Sequence, residues 1–366
     1  MDFIDLKTQY LKYKEEIDQA IAEVLDSGQF IMGKTVSTME DSLAEVVGVK
    51  HCIGVSSGTD SLLLALMALG VTSGDEVITV PFTWISTAEV IELLGAKTVF
   101  IDIEPETYNL DINQLESAIT SKTKAIIPVS LFGQMPNYEQ INAIAARHGI
   151  PVIEDGAQSL GATQFGGNSC GVTTIGSTSF FPTKPLGCYG DGGALFTNDD
   201  ELANMMRALR NHGAHRRHEH PYIGINGRLD AMQAAIIQAK LPHFNHEIHL
   251  REKVGQRYSE LLEGVCDTPK VMEGNTHVYA QYTIRVNQRD EVQQKLKEKN
   301  IPTAIYYPKC IHEQPPFAKY GYKRGDFPVC EKAADEVLSL PMHPWLTEEE
   351  QQTVVEGVKE AVAIGV

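Results

Sequence analysis

The segment Pro151-Val152-Ile153-Glu154-Asp155-Gly156-Ala157-Gln158 sets a short apolar run directly against two carboxylates and a turn of small residues. A helical pattern over Ile141–His148 precedes it, so the run reads as a buried strand. A strand that ends in acids is how an open parallel sheet presents side chains to a ligand, outside the carboxyl ends of its strands. Toward the N-terminus the alternation recurs. Apolar runs at Cys52–Val55, Val77–Val80, Thr98–Ile103 and Ala125–Leu131 are separated by helical patterns such as Ser61–Leu69. Two amphipathic helices come before them. One carries Ile17, Ile21, Val24 and Leu25 and stops at Gly28; the other carries Val36, Met39, Leu43 and Val47. Strands alternating with helices predict an α/β fold with a mostly parallel central sheet between helices.

Toward the C-terminus, Thr178–Phe181 and Gly193–Thr197 lie close enough in sequence to add neighbouring strands. A long helical region covers Asp230–Leu262 and is interrupted near Pro242. The domain boundary is placed there, giving a large domain over 1–242, N-terminal helices included, and a smaller α+β domain over 243–366. The latter reads as a strand at Tyr279–Val286, a helix at Glu291–Lys299, a Pro-rich loop at Tyr307–Asp326, a helix, and a closing helix from Thr347. A chain of 366 residues suits two such units better than one core.

The net charge of −17 argues against nucleic acid as a partner, because phosphate binding needs a basic face. It leaves room for an anionic small molecule in a local basic pocket. Met1–Tyr13 mixes acids and lysines among its apolar residues, and no long apolar run follows, so neither a signal peptide nor a membrane span is expected. The expectation is a cytoplasmic protein whose six cysteines, none in a C-x-x-C pair, stay reduced. His212, His215, His218 and His220 crowd one segment, and His243, His246 and His249 follow at regular spacing. No thiolate or acid pattern completes a ligand set around them, so they read as solvated and no metal is expected.

Three motifs carry chemistry. Ser56-Ser57-Gly58-Thr59-Asp60-Ser61 follows the first strand and opens a helix. Small residues there let the backbone approach a phosphate, which the helix N-terminus attracts; the same residues also suit a plain N-cap. Asp155, at its strand end, can hold a ring nitrogen protonated, and Gln158 can reach a neighbouring ring substituent; Asp155 equally suits a helix cap. Ser179-Phe180-Phe181-Pro182-Thr183-Lys184-Pro185-Leu186-Gly187 puts a lysine between a buried strand and a Gly-rich turn. Lys184 is a candidate catalytic amine with its pKa lowered by burial, or else an ordinary loop lysine.

Taken together, the motifs resemble the DegT/StrS-type sugar-nucleotide aminotransferases, a branch of the fold-type I pyridoxal-phosphate enzymes. The resemblance runs from Phe3-Ile4-Asp5-Leu6 to Ser339-Leu340-Pro341-Met342-His343-Pro344. It includes Ser57-Gly58-Thr59, Glu154-Asp155, Ala157-Gln158, Gly190-Asp191-Gly192-Gly193 and Asn226-Gly227-Arg228-Leu229-Asp230. Gly156 stands where many relatives have alanine. The resemblance implies that Lys184 carries pyridoxal 5'-phosphate and shuttles a proton, that Asp155 pairs with the ring nitrogen, and that Gln158 pairs with the ring hydroxyl. It implies a phosphate held by Gly58, Thr59 and Ser179, and by Asn226 of the other subunit of a homodimer with shared sites. Trp84 occupies the position of a ring lying on the cofactor face, although core packing also accounts for a Trp there.

The stretch Phe180–Gly190 looks most like the enzymes that aminate C3 of UDP-2-acetamido-2-deoxy-3-keto-glucuronate with glutamate as donor, on the way to surface polysaccharides such as O-antigen. Arg228 is then a candidate for the substrate carboxylate, by bidentate pairing, or a structural arginine. Tyr306, Tyr307 and His312 are candidate sugar and nucleotide contacts. Relatives have a histidine at the position of Tyr306, which equally suits interdomain packing. Another 3-keto or 4-keto UDP or dTDP sugar is the alternative substrate. A dehydratase is disfavoured by Lys184. A non-catalytic sensor is disfavoured by the intact set Lys184, Asp155 and Gln158.

Overall fold

A computed structural model describes residues 1–363. The central sheet contains β1 (His51–Val55), β2 (Glu76–Thr79), β3 (Lys97–Phe100), β4 (Thr123–Ile126), β5 (Ile153–Asp155), β6 (Ile175–Ser179) and β7 (Gly193–Thr197). Two strand groups, β1-β7-β6-β5 and β4-β2-β3, meet through parallel bridges at Ile126–Val152 and Val129–Asp155. Within this sheet only β7 runs antiparallel to its neighbours. The link from β6 to β7 contains no crossover helix, so β7 returns antiparallel to β6 and, on its other side, to β1.

Burial on both faces follows from the strand alternation. Cys52, Ile78, Ile126, Val152 and Phe196 join one core, together with Val24, Val36, Met39 and Leu43 of the N-terminal helices. Their neighbours Ile53, Val77, Ala125, Ile153 and Leu195 join the other, with Leu62, Leu64 and Met206. Successive strand residues point to opposite faces, so continuous apolar runs are what a sheet covered on both sides requires. A buried ion pair pins the edge strand: Arg210 binds Glu40 and donates to the Gly54 carbonyl at 2.7 Å, while Glu40 accepts from the Gly54 N–H at 2.8 Å.

The helical region after Asp230 consists of Ala231–Lys240, a 3-10 turn at Leu241–His243 that contains Pro242, and Phe244–Leu261. Beyond it, β8 (Tyr282–Arg285) pairs antiparallel with β9 (Val337–Leu340) over a third core that includes Tyr258, Leu338, Val354 and Val358. The sequence reading has no β9. Val337 follows directly on the helix Pro328–Glu336 with no Gly or Pro between them, so no local signal marks the change. The cysteine expectation is also corrected: Cys310 and Cys330 are joined as a disulfide, whereas Cys52, Cys170, Cys188 and Cys266 are free. Twenty positions separate the pair, and spacing alone does not indicate pairing across a loop. No helix among the described residues is long and apolar enough to cross a membrane.

Candidate active site

A cavity of ≈350 Å³ opens at the carboxyl ends of β1, β2, β4, β5 and β6. Its wall brings together Gly58, Thr59, Trp84, Asp155, Gln158, Ser179, Lys184, Tyr306 and Tyr307, drawn from distant parts of the chain.

The floor is the N-terminus of the helix Gly58–Ala68. Ser57 caps it by accepting from the Asp60 N–H at 3.0 Å. The cap satisfies one donor, and the N–H groups of Gly58 and Thr59, residues that line the cavity, have no helical acceptor. The approach is tight. A Cβ on Gly58 would meet Ser179 Cβ at 2.7 Å, and one on Gly193 would meet the Ser57 carbonyl oxygen at 2.6 Å. Thr59 Oγ1 is fixed by Ser86 Oγ at 2.7 Å. These residues form a small anion cradle of the kind a phosphate monoester fits.

Asp155 ends β5 and is buried. Thr87 Oγ1 donates to its Oδ2 at 2.7 Å, and the Ala157 N–H donates to its Oδ1 at 3.2 Å. A turn follows instead of a helix, so Asp155 caps nothing. Burial raises its pKa; the Thr87 and Ala157 bonds and the charge of Lys184 pull it back down. Beneath it, Glu154 is fully buried. It accepts from Ser169 Oγ at 2.7 Å, the Cys170 N–H at 2.7 Å and Ser130 Oγ at 2.8 Å, which sets the strand end rigidly.

Lys184 hangs from the loop between β6 and β7, its N–H donating to the Phe181 carbonyl at 2.9 Å. Desolvation lowers its pKa, and the negative charge of Asp155 opposes that shift. A lysine so placed is a better nucleophile at neutral pH than a solvated one. Gln158 accepts from the Phe132 N–H at 2.6 Å and donates to Tyr307 Oη at 3.1 Å. Trp84 is 60% exposed, with its ring 6.2 Å from that of Tyr307, so it faces the cavity and is not core.

Three expected site residues lie elsewhere. Asn226 is exposed and bridges Asn211. Arg228 runs along the free edge of β1, opposite Val55, and donates to Asn211 Oδ1 at 3.0 Å; its Nε has no partner. His312 is corrected outright as a contact within the cavity. It is buried against Glu331, 3.1 Å from Nε2 to Oε1, because the loop after Tyr307 turns into the core.

Sequence reasoning missed Thr87, Gln281 and Lys240. Gln281 lines the cavity with a buried Oε1 that has no partner. Lys240 is buried, and its Nζ donates to the Gly187 carbonyl at 2.6 Å, bracing the Lys184 loop. Desolvation lowers its pKa to about 8. Its only signal was a lysine ending a helix rich in alanine and isoleucine.

The model of the DegT/DnrJ/EryC1/StrS aminotransferase family matches residues 12–359. The chain belongs to that family. It is therefore a pyridoxal-phosphate-dependent sugar aminotransferase of α/β fold. It is 53% identical to a UDP-2-acetamido-2-deoxy-3-oxo-D-glucuronate aminotransferase of Pseudomonas aeruginosa, covering 94% of this chain and 96% of that protein. It is 51% identical to a pleiotropic regulatory protein of Geobacillus stearothermophilus, covering 98% and 97%. Among solved structures, S. venezuelae DesV in complex with a ketimine intermediate superposes with a TM-score of 0.96 at 36% identity, covering 98% of this chain and 97% of that one. Bacillus subtilis NtdA with bound PMP superposes at 0.90 and 32%, covering 96% and 82%.

Proposed function

We propose that this chain transfers the amino group of glutamate to C3 of UDP-2-acetamido-2-deoxy-3-keto-glucuronate, in the cytoplasm, on a route to surface polysaccharide such as O-antigen. The carrying observation is the convergence of Lys184, Asp155 and the Gly58–Thr59 cradle on one cavity. The likeness to the Pseudomonas aeruginosa enzyme supports the sugar. When bound, pyridoxal phosphate supplies an aldehyde that takes up the donor's amino group and a ring that draws off electrons. The cradle at Gly58, Thr59 and Ser179 binds its phosphate. Asp155 keeps a proton on the ring nitrogen, Gln158 orients the ring from one edge, and Trp84 covers a face. Lys184 Nζ carries the cofactor covalently and afterwards moves the proton between carbon atoms. The intact set argues against a regulator without catalysis.

The assembly in this reading is a homodimer with shared sites. Apolar side chains at Phe30, Ile31, Phe181 and Ile223 are exposed on the single chain, Ile223 at 90%, as an interface requires. Asn226 then reaches the partner's cofactor phosphate, and Arg228 meets the substrate carboxylate across the same interface. A mixture of Lys184→Ala and Asn226→Asp subunits is expected to regain activity. Each heterodimer then contains one intact site and one doubly damaged site. Exchange of subunits without recovered activity rules out the shared site.

The substrate is tested with a panel of 3-keto and 4-keto UDP and dTDP sugars, glutamate being the donor. The uronate is expected to be preferred. A buried carboxylate needs a paired cation, so Arg228→Met is expected to lower kcat/KM for the uronate by ~2–5 kcal/mol and much less for a neutral 3-keto sugar. Equal losses on both make Arg228 structural. Preference for a neutral or 4-keto sugar overturns the uronate assignment.

A further inference from the structure

Outside the cavity, Cys310, His312 and Cys330 form a buried group, with both sulfurs and a ring nitrogen of His312 within 4.8 Å of one another. Among the described residues this is the one cluster of three or more metal-ligand side chains. The sulfurs are bonded to each other, and a bonded pair offers a cation no thiolates. His312 Nε2 lies 3.1 Å from Glu331 Oε1, and Glu331 is itself held by the N–H groups of Gly325 and Phe327. A carboxylate only accepts, so the ring carries its proton on Nε2 and leaves a lone pair on Nδ1. That Nδ1 is buried and has no partner. It is a free acceptor on a ring that borders a cysteine pair.

The pair also ties the cavity wall to a helix. Cys310 shares a loop with Tyr306 and Tyr307, and the neighbouring Ile311 N–H donates to the Pro81 carbonyl at 2.8 Å, close to Trp84 in sequence. Cys330 lies in the first turn of the helix Pro328–Glu336, where the Val329 and Cys330 N–H groups both bond Asp102 at 2.9 Å. The four remaining thiols have no such arrangement, and burial raises the pKa of each, which keeps them protonated.

We propose that Cys310 and Cys330 are a reversible thiol–disulfide site, closed by a peroxide, reopened by a dithiol, and served by His312 as the base. In closing, His312 Nδ1 takes the proton of one thiol. The resulting thiolate attacks a peroxide oxygen, the O–O bond breaks, and the leaving oxygen takes up a proton as water, which leaves a sulfenic acid. The second thiol displaces that hydroxyl as a second water and the S–S bond forms. Two thiols and one hydrogen peroxide thus give one disulfide and two waters. In opening, a dithiol such as dithiothreitol is oxidised to its disulfide and both protein thiols return. The closed form fixes the Tyr306–Tyr307 wall, and the open form releases it. The site does not depend on the substrate reading; only its kinetic readout does.

Holoenzyme is titrated with hydrogen peroxide and then with dithiothreitol, quenched at each step by denaturation in N-ethylmaleimide, and mapped by mass spectrometry. The peptides bearing Cys310 and Cys330 are expected to be joined after peroxide and separately alkylated after dithiothreitol, with the other cysteines alkylated throughout. His312→Asn is expected to slow closing. Opening is expected to raise KM for the sugar nucleotide about fivefold, the low end of coupling between distinct sites, with the bound cofactor's absorbance unchanged. Mapping the wild type keeps the test valid if a variant does not fold. A pair that never closes, a pair that folded enzyme never reopens, or joining to another cysteine overturns the site. So does a stoichiometric metal ion released when two reduced thiols are alkylated. Equal KM in the two states overturns the link to the cavity.

Discussion

Replacing Lys184 by alanine is expected to abolish amino transfer while leaving the cradle able to hold the cofactor. Two functions are lost together: the covalent tether and the group that moves the proton. Positioned proton transfer alone contributes ~10²–10⁴-fold, and losing the tether adds to that, so turnover should fall to background. Binding should weaken without vanishing. The cradle is made of backbone, Ser57 still caps its helix, and Asp155 is held by Thr87 and Ala157, not by the lysine. The expected signature is a cofactor that comes away on gel filtration of the variant but not of the wild type. Borohydride reduction of the wild type followed by peptide mapping should label the peptide containing Lys184. A label on another lysine, Lys240 above all, would sink the assignment. Lys240 is the sharpest control because it is also buried with a lowered pKa, yet its Nζ is spent on the Gly187 carbonyl.

Much of this architecture is legible in the sequence because a sheet buried on both faces leaves a strong local signal. Val77 and Ile78, or Leu195 and Phe196, must both be apolar although they point into different cores. The ligand positions are legible for a related reason. A parallel sheet puts its strand ends on one edge, so Gly58, Asp155 and Ser179 can be placed together without coordinates. What is not legible depends on where a loop goes. His312 and Tyr307 belong to the same Pro-rich stretch, but the chain turns inward after Tyr307, so one residue meets Gln158 and the other Glu331. Thr87 reaches Asp155 from a helix 68 positions away in sequence, and no spacing rule announces such a contact. The β9 strand fails for a third reason: its partner is Tyr282–Arg285, and that long-range pairing overrides the helix running into it.

Asp155→Asn is expected to lower kcat by roughly 10²-fold or more while barely loosening the cofactor. The substitution keeps the volume: the amide oxygen can accept from the Ala157 N–H, and the amide NH2 can donate to Thr87 Oγ1, since a hydroxyl also accepts. What disappears is the negative charge. A buried carboxylate is costly, and burial raises the pKa of Asp155 in the unliganded protein, so the fold spends stability to hold an acid there. That cost is offset when a positive ring nitrogen sits opposite. A neutral amide stabilises no such charge, and removing one preorganised electrostatic partner costs ~2.7–4 kcal/mol in the transition state. The loss should appear in kcat and kcat/KM alike, since the interaction strengthens as charge develops. Cofactor binding should change little, because in the proposed site the Gly58–Thr59 cradle and Lys184 hold it from the other end. Near-normal kcat in the variant would show that Asp155 serves only to shape the strand end, as Glu154 does beneath it, and that another group holds the ring nitrogen.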